Sequence, residues 1–203
     1  MTPDHWIATT LGDEALLLAG YPFRSAQYSD DPADVRLLRG DNIGQGRLRW
    51  GGVKRWPRDC MSEYEAFLLE RDDVVLAMDR PWIEAGLKFA AIAGEDLPAL
   101  LVQRVARLRG GPNLDTGFLR YLVSGREFTE HVLAVQTGTA VPHISANQIR
   151  EFGFSRPPIE EQERIAKTLS LLDDKIDVNG RIAETLEEIA RALFQSTTCC
   201  VTS

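Results

Sequence analysis

The sequence predicts an α+β protein, in which a mixed α/β head domain is followed by one long C-terminal coiled-coil helix. Before residue 158, short apolar runs are separated by Gly, Arg and Pro, which is typical of short strands joined by loops. From Ile159 to Gln195, apolar residues instead recur in alternating steps of four and three. This 3.5-residue period is that of a coiled-coil seam.

These two textures predict the domain boundaries. We expect the head over residues 1–157, the helix over 158–196 and a disordered tail over 197–203. Pro157 and Pro158 favour the first boundary, because a Pro pair cannot continue a preceding helix but suits the start of a new one. A hydrophobic content of 44% in 203 residues is enough for one packed core of ordinary size.

Apolar runs and turn residues predict the elements of the head. The expected strands are Leu16–Ala19, Val35–Leu38, Val74–Met78, Lys88–Ile92 and Leu100–Leu108, and the expected helices are Phe118–Val123 and Glu127–Val135.

The helix carries its seam and flanking positions at Ile165, Leu169, Leu172, Ile176, Asn179, Ile182, Leu186, Ile189 and Leu193. Asn179-Gly180 is also a turn signal, which would fold the arm into a helical hairpin. The seam keeps its phase across Asn179, and this favours one continuous helix. An exposed seam is expected to pair, and we predict an antiparallel homodimer whose axis near residue 177 lets Asn179 fix the register.

Charge gives a divided signal. The net charge of −7 argues against nucleic-acid binding by the chain as a whole. Residues 35–58, however, hold seven Lys or Arg against one acid, and Arg outnumbers Lys nineteen to four in the chain. Arg is suited to planar, bidentate recognition of phosphate and guanine. The basic window alone is equally consistent with a solvated face.

Signatures of catalysis are missing from the sequence. It has no Gly-rich phosphate loop and no nucleophile elbow, and its three His lack metal-site spacing, so we expect no cofactor, no metal and no catalysis. A methyltransferase is disfavoured, because SRPPI lacks the acidic and the aromatic residue of the Asp/Asn-Pro-Pro-aromatic loop that amino-methyltransferases carry in their active site. Scattered acidic residues give little support to a metal-dependent nuclease. The start is not a secretory signal, no apolar run spans a membrane and the three Cys suggest no disulfide framework, so we expect a cytoplasmic protein.

Four stretches together resemble the specificity subunit of Type I restriction–modification systems. They are Trp6 with LGDEALLLAGYPFRSAQY (Leu11–Tyr28), VRLLRGDNI (Val35–Ile43), LLERDDVVLAM (Leu68–Met78) and TGTAVPHISANQIREFGFSRPPIEEQERIAKTLSLLDDKI (Thr137–Ile176). The last stretch is the most specific, because it contains the PP-x-x-EQ junction that opens the spacer helix. The resemblance covers most of the chain and corresponds to one target-recognition domain with one helix.

The resemblance implies a non-catalytic chain that reads double-stranded DNA and presents it to separate modification and restriction subunits. Members typically carry two recognition domains and two helices, so we expect a half-subunit whose antiparallel pair reads an inverted, bipartite site. An arm of about 55 Å would separate the two half-sites by about 10–16 base pairs.

The expected DNA contacts lie in three loops, which are the first loop, the basic window and the closing loop. They are Tyr21, Phe23, Arg24, Arg39, Asn42, Arg47, Arg49, Lys54, Arg55, Gln136, Thr137 and Thr139. Arg would read guanine, Asn42 or Gln136 would read adenine, and Lys54 would bind phosphate. The aromatic residues of the first loop also suit a core position, and any single Arg also suits a surface charge. The alternative function is an adaptor that binds a modification subunit through the arm without reading DNA.

Overall fold

In the computed structural model, the backbone is described for residues 5–138 and 140–199, and side chains are described as far as residue 192. The chain is an α+β protein, as predicted. Its strands are β1 Ile7–Thr10, β2 Ala15–Ala19, β3 Val35–Leu38, β4 Arg55–Trp56, β5 Val74–Ala77, β6 Trp82–Ile83, β7 Gly86–Leu87, β8 Phe89–Ala91, β9 Ala99–Leu101, β10 Val105–Gly110 and β11 Gly153–Arg156. Its α-helices are α1 Leu11–Glu14, α2 Thr116–Ser124, α3 Arg126–Val135, α4 Ala146–Arg150 and α5 Ile159–Cys199.

The main sheet of the head is antiparallel and has four strands in the order β2-β10-β5-β8. All four residues of β5 are buried, which explains why its sequence, VVLA, is a continuous apolar run rather than an alternating one. A second sheet has the order β4-β3-β9, in which β3 and β9 run parallel. The apolar sides of these sheets meet in one core that includes Leu38, Val75 and Leu101.

The predicted strand Leu100–Leu108 is wrong as a single element. It is divided into β9 and β10 by a turn at residues 102–104, where Arg104 has a φ of 68°. Gly20 makes this turn possible, because a Cβ at that position would lie 2.1 Å from the carbonyl oxygen of Val102. The turn moves the chain from the second sheet to the first, and its tip is therefore available to a functional site.

A buried ion pair links the two inner strands of the main sheet, because Asp73 directly precedes β5 and Arg109 lies on β10. Asp73 is only 1% exposed, and its carboxylate accepts hydrogen bonds from Nε and Nη2 of Arg109 and from the backbone N–H of Glu70. The carboxylate of Asp73 raises the pKa of Arg109, first through these hydrogen bonds. Neighbouring Arg107 donates to the carbonyl oxygens of Ala66 and Leu68, and burial lowers its pKa.

The PP-x-x-EQ junction has a structural explanation in Gln162. Its side chain is fully buried, accepts a hydrogen bond from the N–H of Asp115 at 2.9 Å, and donates to the carbonyl oxygens of Asn113 and Pro157 at 2.9 and 2.8 Å. Asp115 in turn caps α2 by accepting from the N–H of Phe118. The compact unit formed by the head accordingly continues through Glu163.

Helix α5 is continuous across Asn179-Gly180, so the seam predicted its path correctly and no hairpin forms. The helix continues to Cys199, three residues beyond the expected end at 196, while residues 200–203 lie outside the described part. Its apolar residues from position 171 onward are more than half exposed, and they are Leu171, Leu172, Ile176, Val178, Ile182, Leu186 and Ile189. Among the described helices, none is long and apolar enough to cross a membrane.

Candidate nucleic-acid interface

A cleft of about 610 Å³ opens on the head where four loops meet. The loops follow β3, β5 and β9, and the fourth is the closing segment after α3. The cleft is lined by five basic side chains against two carboxylates, namely Arg39, Arg49, Arg80, Lys88 and Arg104 against Asp41 and Asp79. Such an excess of positive charge in a concave surface attracts polyanions.

A second groove of about 410 Å³ extends this positive surface. It is lined by Ser25, Tyr28, Asp30, Arg39 and Lys54, and it shares Tyr28 and Arg39 with the larger cleft. The Nζ atom of Lys54 lies 3.3 Å from a carboxylate oxygen of Asp30. The two concavities therefore form one groove that begins in the first loop.

The loop after β3 is held in shape by Asn42. Its side-chain oxygen accepts from the backbone N–H of Arg39 at 3.1 Å, and its side-chain nitrogen donates to the carbonyl oxygen of Arg49 at 3.0 Å. Asn42 is 8% exposed, so both polar groups of its amide are used inside the loop. Its role in reading adenine stays a prediction, while the two bonds observed here fix the backbone of the loop at Arg39 and Arg49.

The loop after β5 and the turn after β9 contribute basic residues that the sequence analysis missed. Arg80 and Arg104 have φ values of 45° and 68°, a left-handed region that non-glycine residues rarely adopt. Backbone bonds hold them there: the N–H of Arg80 donates to the carbonyl of Pro142, and the N–H of Met78 donates to that of Arg104. Such conformations cost about 1–3 kcal/mol each and concentrate at functional sites.

Three of the five cations in the cleft are available to a ligand. Arg39 and Arg104 are partnered by Asp41 and Asp79 at 3.5 and 3.7 Å. In the part of the chain that the structure describes, the remaining three form no ion pair with a carboxylate, and they are Arg49, Arg80 and Lys88. Burial lowers the pKa of half-buried Lys88, and the nearby carboxylate of Asp41 opposes this effect only in part.

The predicted DNA contacts are distributed between this groove and the protein interior. Arg39, Arg49 and Lys54 line the groove. Phe23 is 5% exposed and packs on Trp56 and Tyr64, which favours the alternative of a core position for this residue. Tyr21 is 36% exposed and makes edge contacts with the same aromatic cluster, so it lies at the exposed rim of that cluster.

The remaining predicted residues vary in how free they are. Arg24 and Arg47 are exposed, whereas Arg55 donates to the carbonyl oxygen of Asp34 at 2.8 Å and braces the second sheet. Gln136 is half-buried at the end of α3, and Thr137 is exposed, with its hydroxyl 3.0 Å from Nε2 of His143. Thr139 lies outside the described residues.

The closing segment reaches the cleft through its second half. His143 forms isolated antiparallel β-bridges with Thr137 and with Asp79. Val141, two residues before it, lines the cleft. Within the described residues, no group of three or more His, Cys, Asp or Glu is placed to hold a metal ion.

The fold and the cleft define a class of protein, namely an α+β domain that presents a basic groove made of loops and continues into a long helix. The chain belongs to the Type I restriction modification DNA specificity domain family, whose sequence model matches residues 27–188. It is 34% identical over 181 residues to the Type I restriction enzyme EcoAI specificity subunit of Escherichia coli, covering 89% of this chain and 30% of that protein.

A second curated relative and two solved structures are also similar to this chain. The MjaVIII specificity subunit of Methanocaldococcus jannaschii is 28% identical, with 95% of this chain and 45% of that protein covered. Among solved structures, a chain from a study of complex assembly and conformational transition in a type I R-M system has a TM-score of 0.67 at 18% identity, covering 94% and 44% of the two chains. The HsdS subunit of Thermoanaerobacter tengcongensis has a TM-score of 0.59 at 17% identity, covering 88% and 40%. The chain therefore spans 30–45% of the length of these four proteins.

Proposed function

We propose that this chain recognises a DNA sequence as the non-catalytic specificity component of a Type I restriction–modification system. The observation that carries the proposal is the open basic cleft, in which three cations lack a carboxylate partner among the described residues. Family membership and the specificity subunits among its relatives support the same function.

The cleft supplies both kinds of contact that sequence recognition requires. Lys88 offers a point charge to a phosphate, while Arg49 and Arg80 offer planar guanidinium groups that can bind guanine at two atoms. Gln103 is exposed at the tip of the turn after β9 and lines the cleft, so it joins Asn42 and Gln136 as a residue proposed to read adenine. Arg24, Arg47, Gln136 and Thr137 remain proposed contacts at the margin of this surface.

Helix α5 is proposed to pair with the same helix of a second copy in antiparallel orientation. Leu172, Ile176 and Leu186 are 51–67% exposed, and a row of aliphatic side chains of this kind is normally covered by a partner. A two-fold pair brings two copies of the cleft into one complex, which suits an inverted, bipartite DNA site.

A second apolar stripe on α5 is offered to the modification and restriction subunits. Leu171 and Val178 are each more than half exposed and lie beside the predicted seam. Two adjacent stripes allow one helix to contact two partners at once.

If two copies of the chain pair in this way, co-expression with a modification subunit would leave a methylation motif on host DNA that is a symmetric, interrupted palindrome.

The DNA-binding proposal is tested with the variant R80A/K88A and the charge-matched control R71A/R126A. Arg71 and Arg126 are highly exposed and do not line the cleft. Binding to a labelled random-sequence duplex is measured by fluorescence anisotropy between about 50 and 300 mM salt, a range over which phosphate contacts weaken strongly. We expect R80A/K88A to lose about ten-fold or more in affinity and about two units of salt slope. Equal behaviour of the two variants would contradict the assignment of the cleft.

Pairing is tested separately with L172D/I176D and with R191D, which changes the net charge by the same amount at another exposed position of the helix. Sedimentation velocity is expected to detect a dimer for the wild type and for R191D but a monomer for L172D/I176D. A dimer that survives both aspartates would show that the seam does not form the interface.

A further inference from the structure

Two exposed aliphatic side chains stand among the charges of the basic cleft. Ile83 is 38% exposed and Val141 is 43% exposed, and both line the cleft beside Arg80 and Lys88. Other exposed aliphatic residues of the head, such as Ile7 and Leu16, are not among the lining residues. The cleft is therefore a mixed surface, with apolar contact points set between groups that attract phosphate.

The backbone fixes both positions. Ile83 belongs to the β6–β7 hairpin, where it pairs with Gly86, whose φ of 119° permits the tight turn. Next to Val141, the carbonyl of Pro142 accepts a hydrogen bond from the N–H of Arg80 at 2.6 Å. Both side chains are β-branched, so little rotamer freedom remains to be lost when a ligand covers them.

The chemistry of the two side chains selects what they can contact on DNA. Phosphates, sugars and most base-edge groups in the major groove are polar, and the main apolar group there is the C5 methyl of thymine. A surface that only held phosphates would not benefit from exposed aliphatic groups between its cations. On the basis of the proposed function, we propose that Ile83 and Val141 contact thymine methyl groups and make the preferred sequence dependent on thymine.

The test uses a pool of random duplexes amplified either with dTTP or with dUTP, because uracil pairs like thymine but lacks the methyl group. The full chain is taken through rounds of binding and recovery with each pool. We expect a recovered motif that contains thymine in the first pool and is lost or changed in the second. In direct binding to the recovered duplex, replacing a contacted thymine by uracil should weaken affinity about three- to five-fold per methyl, as for burial of one methyl group.

The variant I83S/V141S assigns this effect to the two side chains, and I7S/L16S is the matched control. We expect I83S/V141S to bind thymine and uracil duplexes equally, with an unchanged salt slope, and the control to discriminate as the wild type does. Unfolding midpoints measured in urea verify that all variants fold.

The outcomes separate this inference from the function on which it rests. A motif recovered equally from both pools overturns the thymine contact and leaves sequence recognition intact. Discrimination that survives in I83S/V141S also overturns it. If I83S/V141S loses the same affinity for the thymine duplex and the uracil duplex, the methyl contact is overturned. That result would indicate that the two aliphatic side chains insert between neighbouring base pairs instead. Failure to enrich any sequence from either pool, with no salt-sensitive binding, contradicts the proposed function itself.

Discussion

Arg109 and Arg80 illustrate two opposite uses of arginine within one domain. Arg109 emerges from the main sheet, where two of its nitrogens bind the buried carboxylate of Asp73. Arg80 follows β5, the strand next to that of Arg109, but it is exposed, lines the cleft and forms no ion pair among the described residues. A guanidinium group is therefore structural or functional according to its partners and not according to the local density of charge.

Replacement of Asp73, the buried partner of Arg109, should have the largest effect, and this effect is on the stability of the domain. Asp73→Ala leaves the guanidinium of Arg109 without its main counter-charge inside the domain, and such losses typically cost about 3–5 kcal/mol of stability. Urea denaturation followed by tryptophan fluorescence measures the change. Glu130→Ala, which breaks the exposed pair with Arg126, is the control and should cost less than about 1 kcal/mol. Equal losses in the two variants would contradict the structural role of Asp73.

Asn42 lies between the two extremes, because it is buried but stands directly behind the cleft. Asn42→Ala removes the hydrogen bonds to the backbone of Arg39 and Arg49, and we expect a loss of about 1–3 kcal/mol in stability. DNA affinity should also fall, since the two arginines would no longer be held in position. If affinity falls while the urea midpoint stays at the wild-type value, the amide reads DNA directly and the structural assignment is incorrect.

Lys88 should show the smallest effect, and it concerns pH. Burial lowers the pKa of Lys88 in the free protein, and a bound phosphate would raise it again by favouring the charged form. At a pH between the pKa of Lys88 in the free protein and its pKa in the complex, DNA binding is accompanied by the uptake of a proton. DNA affinity should therefore fall with rising pH, and the fall should begin below the ordinary lysine pKa of about 10.4. We expect a loss of less than about ten-fold between roughly pH 8 and 9.5, and a flat profile for Lys88→Arg, which stays charged throughout. The same slope in both proteins would exclude Lys88 as its source.

The sequence predicted the elements of the fold better than it predicted the cleft. The heptad period identified α5 and carried it across Asn179-Gly180, because helical phase is a local property of the chain. The basic window located Arg39 and Arg49, since they share one loop with the other residues of that window. Arg80, Lys88 and Arg104 were missed because separate loops supply them and only the pairing of the sheets brings them together.

The same window also misled, for a related reason. Arg36 donates to the carbonyl of Glu95 and stacks over Trp50, while Arg58 donates to the carbonyl of Ala33. These guanidinium groups serve as braces for loops, and a count of charges cannot distinguish them from ligands of phosphate. The division of the strand at Arg104 was missed too, because the left-handed turn depends on backbone contacts with segments that are distant in the sequence, at Gly20 and at Met78.

The three hydrogen bonds of Gln162 have a practical consequence for the construction of chimeras that exchange the head domain. Since this amide joins the beginning of α5 to the backbone near α2, a chimera spliced at Pro157 would separate Gln162 from its original neighbours and expose mismatched polar groups at the graft. A splice after Glu163 transfers the amide together with everything it touches. Exchange of specificity between proteins of this family should therefore succeed when the splice lies about one helical turn after the proline pair.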